Sequence, residues 1–290
     1  MKPLTDPHHL FVEHPFVAVV TGSSSGIGQA IATEFAARGA CVLIHARSNL
    51  AGIQQTIERI RSLDAGSAHS NKSSHNVRCI VADLTDAIAI DSMVRAAFAW
   101  KGYVNVWVHA AGADVLTGSQ ASLPFEAKLQ TLWETDVRGT MLTSRRVSQQ
   151  MIVRGVPHTL LPSIVHIGWD QADHGMEGDS GQFFCAVKAA VAAFSKSLAK
   201  SVAPKIRVNC VAPGWIQTDW GMETSEEWNL RAEGESLLRR WGNPRDVART
   251  VASISMGDGE FINAQTIAVN GGWCGLDNHV RSRTTRDLRP

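Results

Sequence analysis

The sequence predicts a single doubly wound α/β domain on a parallel, seven-stranded sheet. Three observations carry that expectation. Seven short apolar or β-branched runs recur along the 290 residues with little polar alternation, as strands buried on both faces require. Helix-length segments separate them, and the β-α-β-α rhythm never breaks at a linker, so one sheet is expected. A glycine-rich turn, "TGSSSGIG", joins the first run to the first helical pattern.

The runs in order are "FVAVVT" 16–21, "CVLIHA" 41–46, "VRCIVA" 77–82, "VNVWVHA" 104–110, "SIVHIG" 163–168, "IRVNCVA" 206–212 and "TIAVN" 266–270. Between them, "GIGQAIATEFAARG" and "DSMVRAAFAW" have helical spacing. Residues 64–76, "DAGSAHSNKSSHN", read as a long exposed loop before the third strand. The ends divide off: 1–15 as an N-terminal extension, 16–275 as the domain, and 276–290 as an arginine-bearing polar tail, read as disordered or else as an arm onto a neighbouring subunit.

Bulk composition excludes several classes. The chain is 44% hydrophobic with a formal net charge of +1, enough for a sizeable core and without the basic excess that nucleic acid or an anionic membrane surface attracts. No apolar run is long enough to span a bilayer, and the first fifteen residues do not form a signal peptide. The five cysteines follow no metal spacing. Cys41, Cys79 and Cys210 lie in or beside apolar runs, so buried reduced thiols and a reducing cytoplasm are expected.

The glycine turn carries the first chemistry. Gly22, Gly26 and Gly28 let the backbone turn tightly and approach a pyrophosphate, with Ser24, Ser25 and Ile27 completing the loop. The helix that follows presents N–H groups and a positive dipole end. The second strand ends at Ala46 and Arg47, where such dinucleotide sites place a carboxylate for a ribose 2′-hydroxyl or an arginine for a 2′-phosphate. Arg47, with no acid beside it, favours NADP(H) over NAD.

Several motifs in order resemble the short-chain dehydrogenase/reductase family, from about Val17 to Trp273, and imply its Rossmann-type fold. They are "TGSSSGIG", "ADL" 82–84, "HAAG" 109–112, "RVNCVAPGWIQT" 207–218 and "NAQTIAVNGGW" 263–273. The resemblance implies cofactor contacts at Asp83, Leu84, Ala111, Gly112, Lys188, Pro213, Gly214 and Ile216. It also implies a homodimer or homotetramer built on the helices of 133–153 and 182–202, and a small-molecule substrate.

The family's catalytic set is asparagine, serine, tyrosine and lysine. Carried over by position, the asparagine becomes Asp136, the serine becomes Trp169 and the tyrosine becomes Phe184; only Lys188 matches. The chain's single tyrosine, Tyr103, precedes the fourth strand, and the longer spacing of enoyl reductases falls on Gly181. A positioned general acid is worth about 10²–10⁴ in rate, so ketone reduction by the tyrosine route is not expected.

Three readings stay open. A divergent oxidoreductase could act on a conjugated enoyl or aromatic carbonyl compound with Asp136 and Lys188 in altered roles; peroxisomal-type 2,4-dienoyl-CoA reductases of this family share that pattern of replacement. The chain could instead bind NADP(H) without turnover. Or catalytic groups could come from the insertion "WDQADHGMEGDSGQ" 169–182, with Asp170 and His174 as candidates, against the plainer reading of a solvated acidic loop. On the substrate side, Trp169, Phe184, Trp215, Trp220 and Trp228 could line an aromatic cleft, while Trp241 and Trp273 are expected to pack.

Overall fold

The computed structural model describes residues 14–65, 76–157, 159–218 and 225–273. Most of the N-terminal extension, most of the 64–76 loop, the polar tail and Trp220 therefore lie outside the described residues.

The seven strands are β1 (Val17–Thr21), β2 (Cys41–Ala46), β3 (Val77–Val81), β4 (Val106–His109), β5 (Ser163–Ile167), β6 (Arg207–Pro213) and β7 (Thr266–Val269). They form one parallel sheet in the order β3-β2-β1-β4-β5-β6-β7. The helices are α1 (Gly26–Ala37), α2 (Leu50–Ala65), α3 (Ala87–Lys101), α4 (Phe125–Leu132), α5 (Thr140–Arg154), α6 (Gly178–Val202), α7 (Glu226–Glu235) and α8 (Pro244–Ser255). The π-helical segment Trp133–Gly139 joins α4 to α5.

Strand residues alternate between two cores because successive side chains leave opposite faces. Ala18, Val20, Val42 and Ile44 pack with α1, α2 and α8. Val17, Val19 and Leu43 pack with α3, α5 and α6. Phe183, Val187 and Val191 of α6 join Leu132 and Val137 in a third cluster. α8 starts where the sequence supplies a full capping box, Asn243 with Asp246, and a proline at its first turn.

Two expectations need correction. Burial on both faces holds for β1, β2 and β4, but β3 and β7 are the sheet's edges and are partly exposed. Cys79 sits on that edge and is exposed, whereas Cys41 and Cys210 are buried as expected. Burial pushes the Cys210 thiol up to about 11.

Strand order reverses between β1 and β4, and at such a switch point the loops leaving the carboxyl ends of the strands diverge and leave a crevice. Thr21 holds the two strands there: its Oγ1 accepts the N–H groups of Ala110 and Ala111, each at 3.2 Å, and donates to Val108 O at 3.3 Å. Tyr103 donates its hydroxyl to Pro15 O at 2.9 Å and lines neither cavity described below. Among the described residues no helix is long and apolar enough to cross a membrane, and no cluster of ligands could hold a metal ion.

Candidate functional site

A cleft of about 620 Å³ opens at the switch point. Its floor is the glycine turn. Gly22 has φ of +64°, and a Cβ there would stand 2.5 Å from Ala111 Cα; one at Gly28 would stand 2.2 Å from Gly22 O. Only glycine fits either place, so the backbone itself forms the surface. α1 begins at Gly26 with no acid in its first turn, which leaves its positive end open to an anion.

His45 braces this floor. Its Nδ1 accepts the Gly22 N–H at 3.1 Å, so Nε2 carries the proton and donates to Ala82 O at 3.0 Å. Burial lowers its basicity against the opposing pull of Ala82 O and Asp83, and the ring is neutral. At the cleft's far end stand Arg47 and Asp83. Burial raises the Asp83 carboxyl, but two hydrogen bonds from Thr85 at 2.8 Å and the charge of Arg47 outweigh it and hold the group below its usual range.

At the other end, the π-helical turn aims Asp136 inward, where it is 3% exposed. Its Oδ1 accepts the Ala113 N–H at 2.8 Å and its Oδ2 accepts from Lys188 Nζ at 2.9 Å. The pair ties the π-helical turn to α6.

A second cavity, of about 540 Å³, continues from the first. Four residues line both: Ile27, Phe184, Lys188 and Thr218. Trp169 and Phe184 meet edge to face with ring centroids 6.2 Å apart, and Trp215, Trp228 and Trp241 supply much of the opposite wall.

The sequence-predicted residues divide between the cavities. Gly22, Ser24, Ser25, Gly26, Ile27, Gly28, Arg47, Asp83, Leu84, Ala111, Gly112 and Lys188 line the first. Pro213, Gly214 and Ile216 line the second, with Trp169, Phe184 and Trp215. Asp170 and His174 line neither. Asp170 is buried behind the Gly214 turn; its Oδ2 accepts from Asn270 Nδ2 at 2.9 Å, and burial pushes its carboxyl up to about 6. His174 is exposed and stacks on Trp273 with centroids 4.1 Å apart. The plainer expectation of a solvated acidic loop fits Asp173, His174, Glu177 and Asp179, which are exposed, and fails at Asp170, which is buried with Gln171 in a short 3-10 turn. Trp241, expected to pack, both meets Trp215 edge to face and lines the cavity.

Three contributors were not singled out from the sequence. His45 reads there as an ordinary strand residue. Thr218 sat in a quoted motif with no role given to it. Ser180, one turn before Phe184 on α6, lay within the acidic insertion.

A family model described as "Enoyl-(Acyl carrier protein) reductase" matches residues 22–274. The chain belongs to the short-chain dehydrogenase/reductase family. Among its short-chain dehydrogenase/reductase relatives, the 3-oxoacyl-[acyl-carrier-protein] reductase FabG of Vibrio cholerae is 31% identical, covering 88% of this chain and 96% of that protein. The 3beta-hydroxysteroid dehydrogenase 1 of Eggerthella lenta is also 31% identical, over 88% and 92%. Solved short-chain dehydrogenase/reductase structures superpose along the chain. The actinorhodin polyketide ketoreductase with NADPH gives a TM-score of 0.74 at 26% identity, covering 90% of this chain and 97% of that one. A short-chain dehydrogenase from Burkholderia cenocepacia in complex with NADP gives 0.73 at 26%, covering 88% and 96%.

Proposed function

We propose that this chain is an NADP(H)-dependent oxidoreductase that works without the family's tyrosine acid, on a planar, conjugated substrate. The observation that carries the reading is the junction: Phe184 and Lys188 line both the cleft that suits a dinucleotide and the aromatic cavity beside it. The residues fit the cofactor. Gly22 and Gly28 leave bare backbone where a Cβ would collide, and the α1 N-terminus suits the pyrophosphate. Arg47, exposed beside Asp83, offers a guanidinium to a 2′-phosphate. Two of the similar solved structures are described with NADPH or NADP. The cofactor, when bound, supplies a hydride to the substrate.

The chain's residues then divide the remaining work. Lys188 is held in place by Asp136, and Asp136 also fixes the Ala113 backbone beside the cleft. Trp169 and Phe184 occupy the positions the family resemblance assigns to its serine and tyrosine, and they exclude water from the junction. The same replacements favour a second reading, a protein that binds NADP(H) without turning it over. Assembly as a homodimer or homotetramer through α5 and α6 belongs to the proposal and is read by light scattering.

Titration with NADPH and NADH tests the cofactor. Arg47→Ala should weaken NADPH binding by about tenfold or more, the scale of one lost charge-assisted contact, and leave NADH binding nearly unchanged. Equal loss for both would remove the 2′-phosphate assignment. NADPH turnover with a panel of carbonyl, enoyl and imine compounds, lost in Lys188→Ala, separates the oxidoreductase from the non-catalytic reading.

A further inference from the structure

Among the described residues that line it, the aromatic cavity holds no carboxyl, tyrosine or histidine. The only ionisable lining residue among the described residues is Lys188, already paired with Asp136; the described hydroxyls there, Ser180 and Thr218, are ordinary alcohols. A carbonyl that accepts a hydride becomes an alkoxide, and an activated alkene becomes a carbanion. Each needs a proton at once, and a positioned acid that supplies it is worth about 10²–10⁴ in rate. One class of acceptor escapes this need. A C=N⁺ carbon that takes a hydride leaves a neutral amine, because the π pair becomes the nitrogen lone pair.

The walls suit such a cation. Indole faces attract positive charge through the ring quadrupole, more strongly out of water. Trp215 donates its indole N–H to Glu235 Oε2 at 2.7 Å, a bond to a carboxylate that enriches the ring. The rings already hold one cation: the Arg231 guanidinium carbon lies 5.3 Å from the Trp228 centroid and 5.8 Å from that of Trp215. Arg231 itself is paired with both Glu235 and Glu177, so that trio is net negative. The Lys188–Asp136 pair and the Arg240–Asp246 pair beside Trp241 are each neutral. Asp170, behind the Gly214 turn, adds a further negative charge above about pH 6.

We propose that the cavity takes a preformed, planar iminium cation conjugated to an aromatic ring, and that the reaction is its reduction to the amine. This rests on the NADP(H) oxidoreductase reading. One C–H bond forms at the iminium carbon and one breaks in the reduced nicotinamide. The iminium is reduced by two electrons, the nicotinamide becomes its oxidised cation, and no proton is taken up or released.

The probe is N-methyl-3,4-dihydroisoquinolinium, a permanent cation, with 1-tetralone as its neutral near-isostere. Binding to the full chain without cofactor is followed by quenching of tryptophan fluorescence and by calorimetry. The cation should bind at least tenfold more tightly than tetralone. Glu235→Gln and Trp228→Leu should each weaken the cation several-fold and leave tetralone within about twofold. Tetralone binding as tightly as the cation, or equal losses for both ligands, would overturn the cation preference whatever the cofactor result. With 4-deuterated NADPH, deuterium should appear at C1 of N-methyl-tetrahydroisoquinoline above the uncatalysed background, at a rate flat from pH 6.5 to 9, while tetralone is not reduced. Tetralone reduced and the iminium spared would overturn this inference and leave the oxidoreductase reading standing. NADPH bound with neither compound reduced would overturn both.

Discussion

Asp170 is buried with one carboxylate oxygen on Asn270, and the backbone amides of Gln171 and of Asp170 itself also pull on the carboxyl. Burial raises this group from 3.8 to about 6 in the folded chain. A carboxyl that holds its proton more tightly when folded makes the fold most stable below its unfolded value, and that stability is lost as pH rises through about 6. Asp170→Asn keeps an acceptor for Asn270 and removes the buried charge. The variant should gain up to about 3 kcal/mol at pH 8, on a scale of about 1.4 kcal/mol per pKa unit, with the gain shrinking toward zero near pH 4. Thermal melts of both proteins from pH 4 to 8 measure it; a variant less stable than the parent at pH 8 would reject the buried-charge account. Nothing about this burial was legible in "WDQADHGMEGDSGQ", where acids and glycines alternate as on an exposed loop. The residues that bury Asp170 arrive from turns after β6 and β7, up to a hundred positions later. His45 was illegible for the same reason, since its partners Gly22 and Ala82 meet only through the sheet.

Elements whose geometry is fixed by the local chain were read from the sequence with little loss. The glycine turn is one, because its spacing encodes backbone approach. Gly28→Ala would place a Cβ against the Gly22 carbonyl oxygen, 2.2 Å away, and main chain cannot move aside cheaply. The substitution should reduce NADPH affinity by about a hundredfold or more while the far-UV spectrum stays that of the parent, a separation calorimetry and circular dichroism would show. Strand positions were also legible, because apolar runs of four to seven residues mark buried strands. Edge exposure at β3 and β7 was not, since strand order is a property of the sheet. The turn bearing Asp136 was expected within a long helix, yet it is wound as a π segment whose wider turn brings that carboxylate to Lys188.

At the scale of the whole molecule, the layer between the sheet and α5 and α6 encloses a polar cluster that lines neither of the two cavities. His109 and His166 stack with centroids 4.9 Å apart, and each Nε2 is 2.9 Å from Ser144 Oγ. One hydroxyl donates to one ring and accepts from the other, so the two imidazoles hold opposite tautomers and both are neutral. Burial lowers His109 well below 6.5, with His166 adding to the effect, and burial takes His166 to about 3. Groups held below their unfolded values stabilise the fold above about pH 6.5, and that contribution is lost as pH falls. Two imidazoles outweigh the single opposing carboxyl of Asp170, so stability should fall on acidification from pH 6.5 to 5. His166→Asn should flatten that slope by about 1.4 kcal/mol per pH unit, read from urea unfolding at each pH.

The neutral ring of His45 has a mechanical consequence. Bonded to the first amide of the glycine turn and to the carbonyl that ends the neighbouring strand's exit, it works as a strut between the two halves of the groove. A load applied at one end is felt at the other. If the 2′-phosphate assignment of Arg47 holds, adenosine 2′,5′-bisphosphate, too short to span the cleft, should slow amide exchange across residues 22–28 before any nicotinamide arrives, and should cease to do so in His45→Ala.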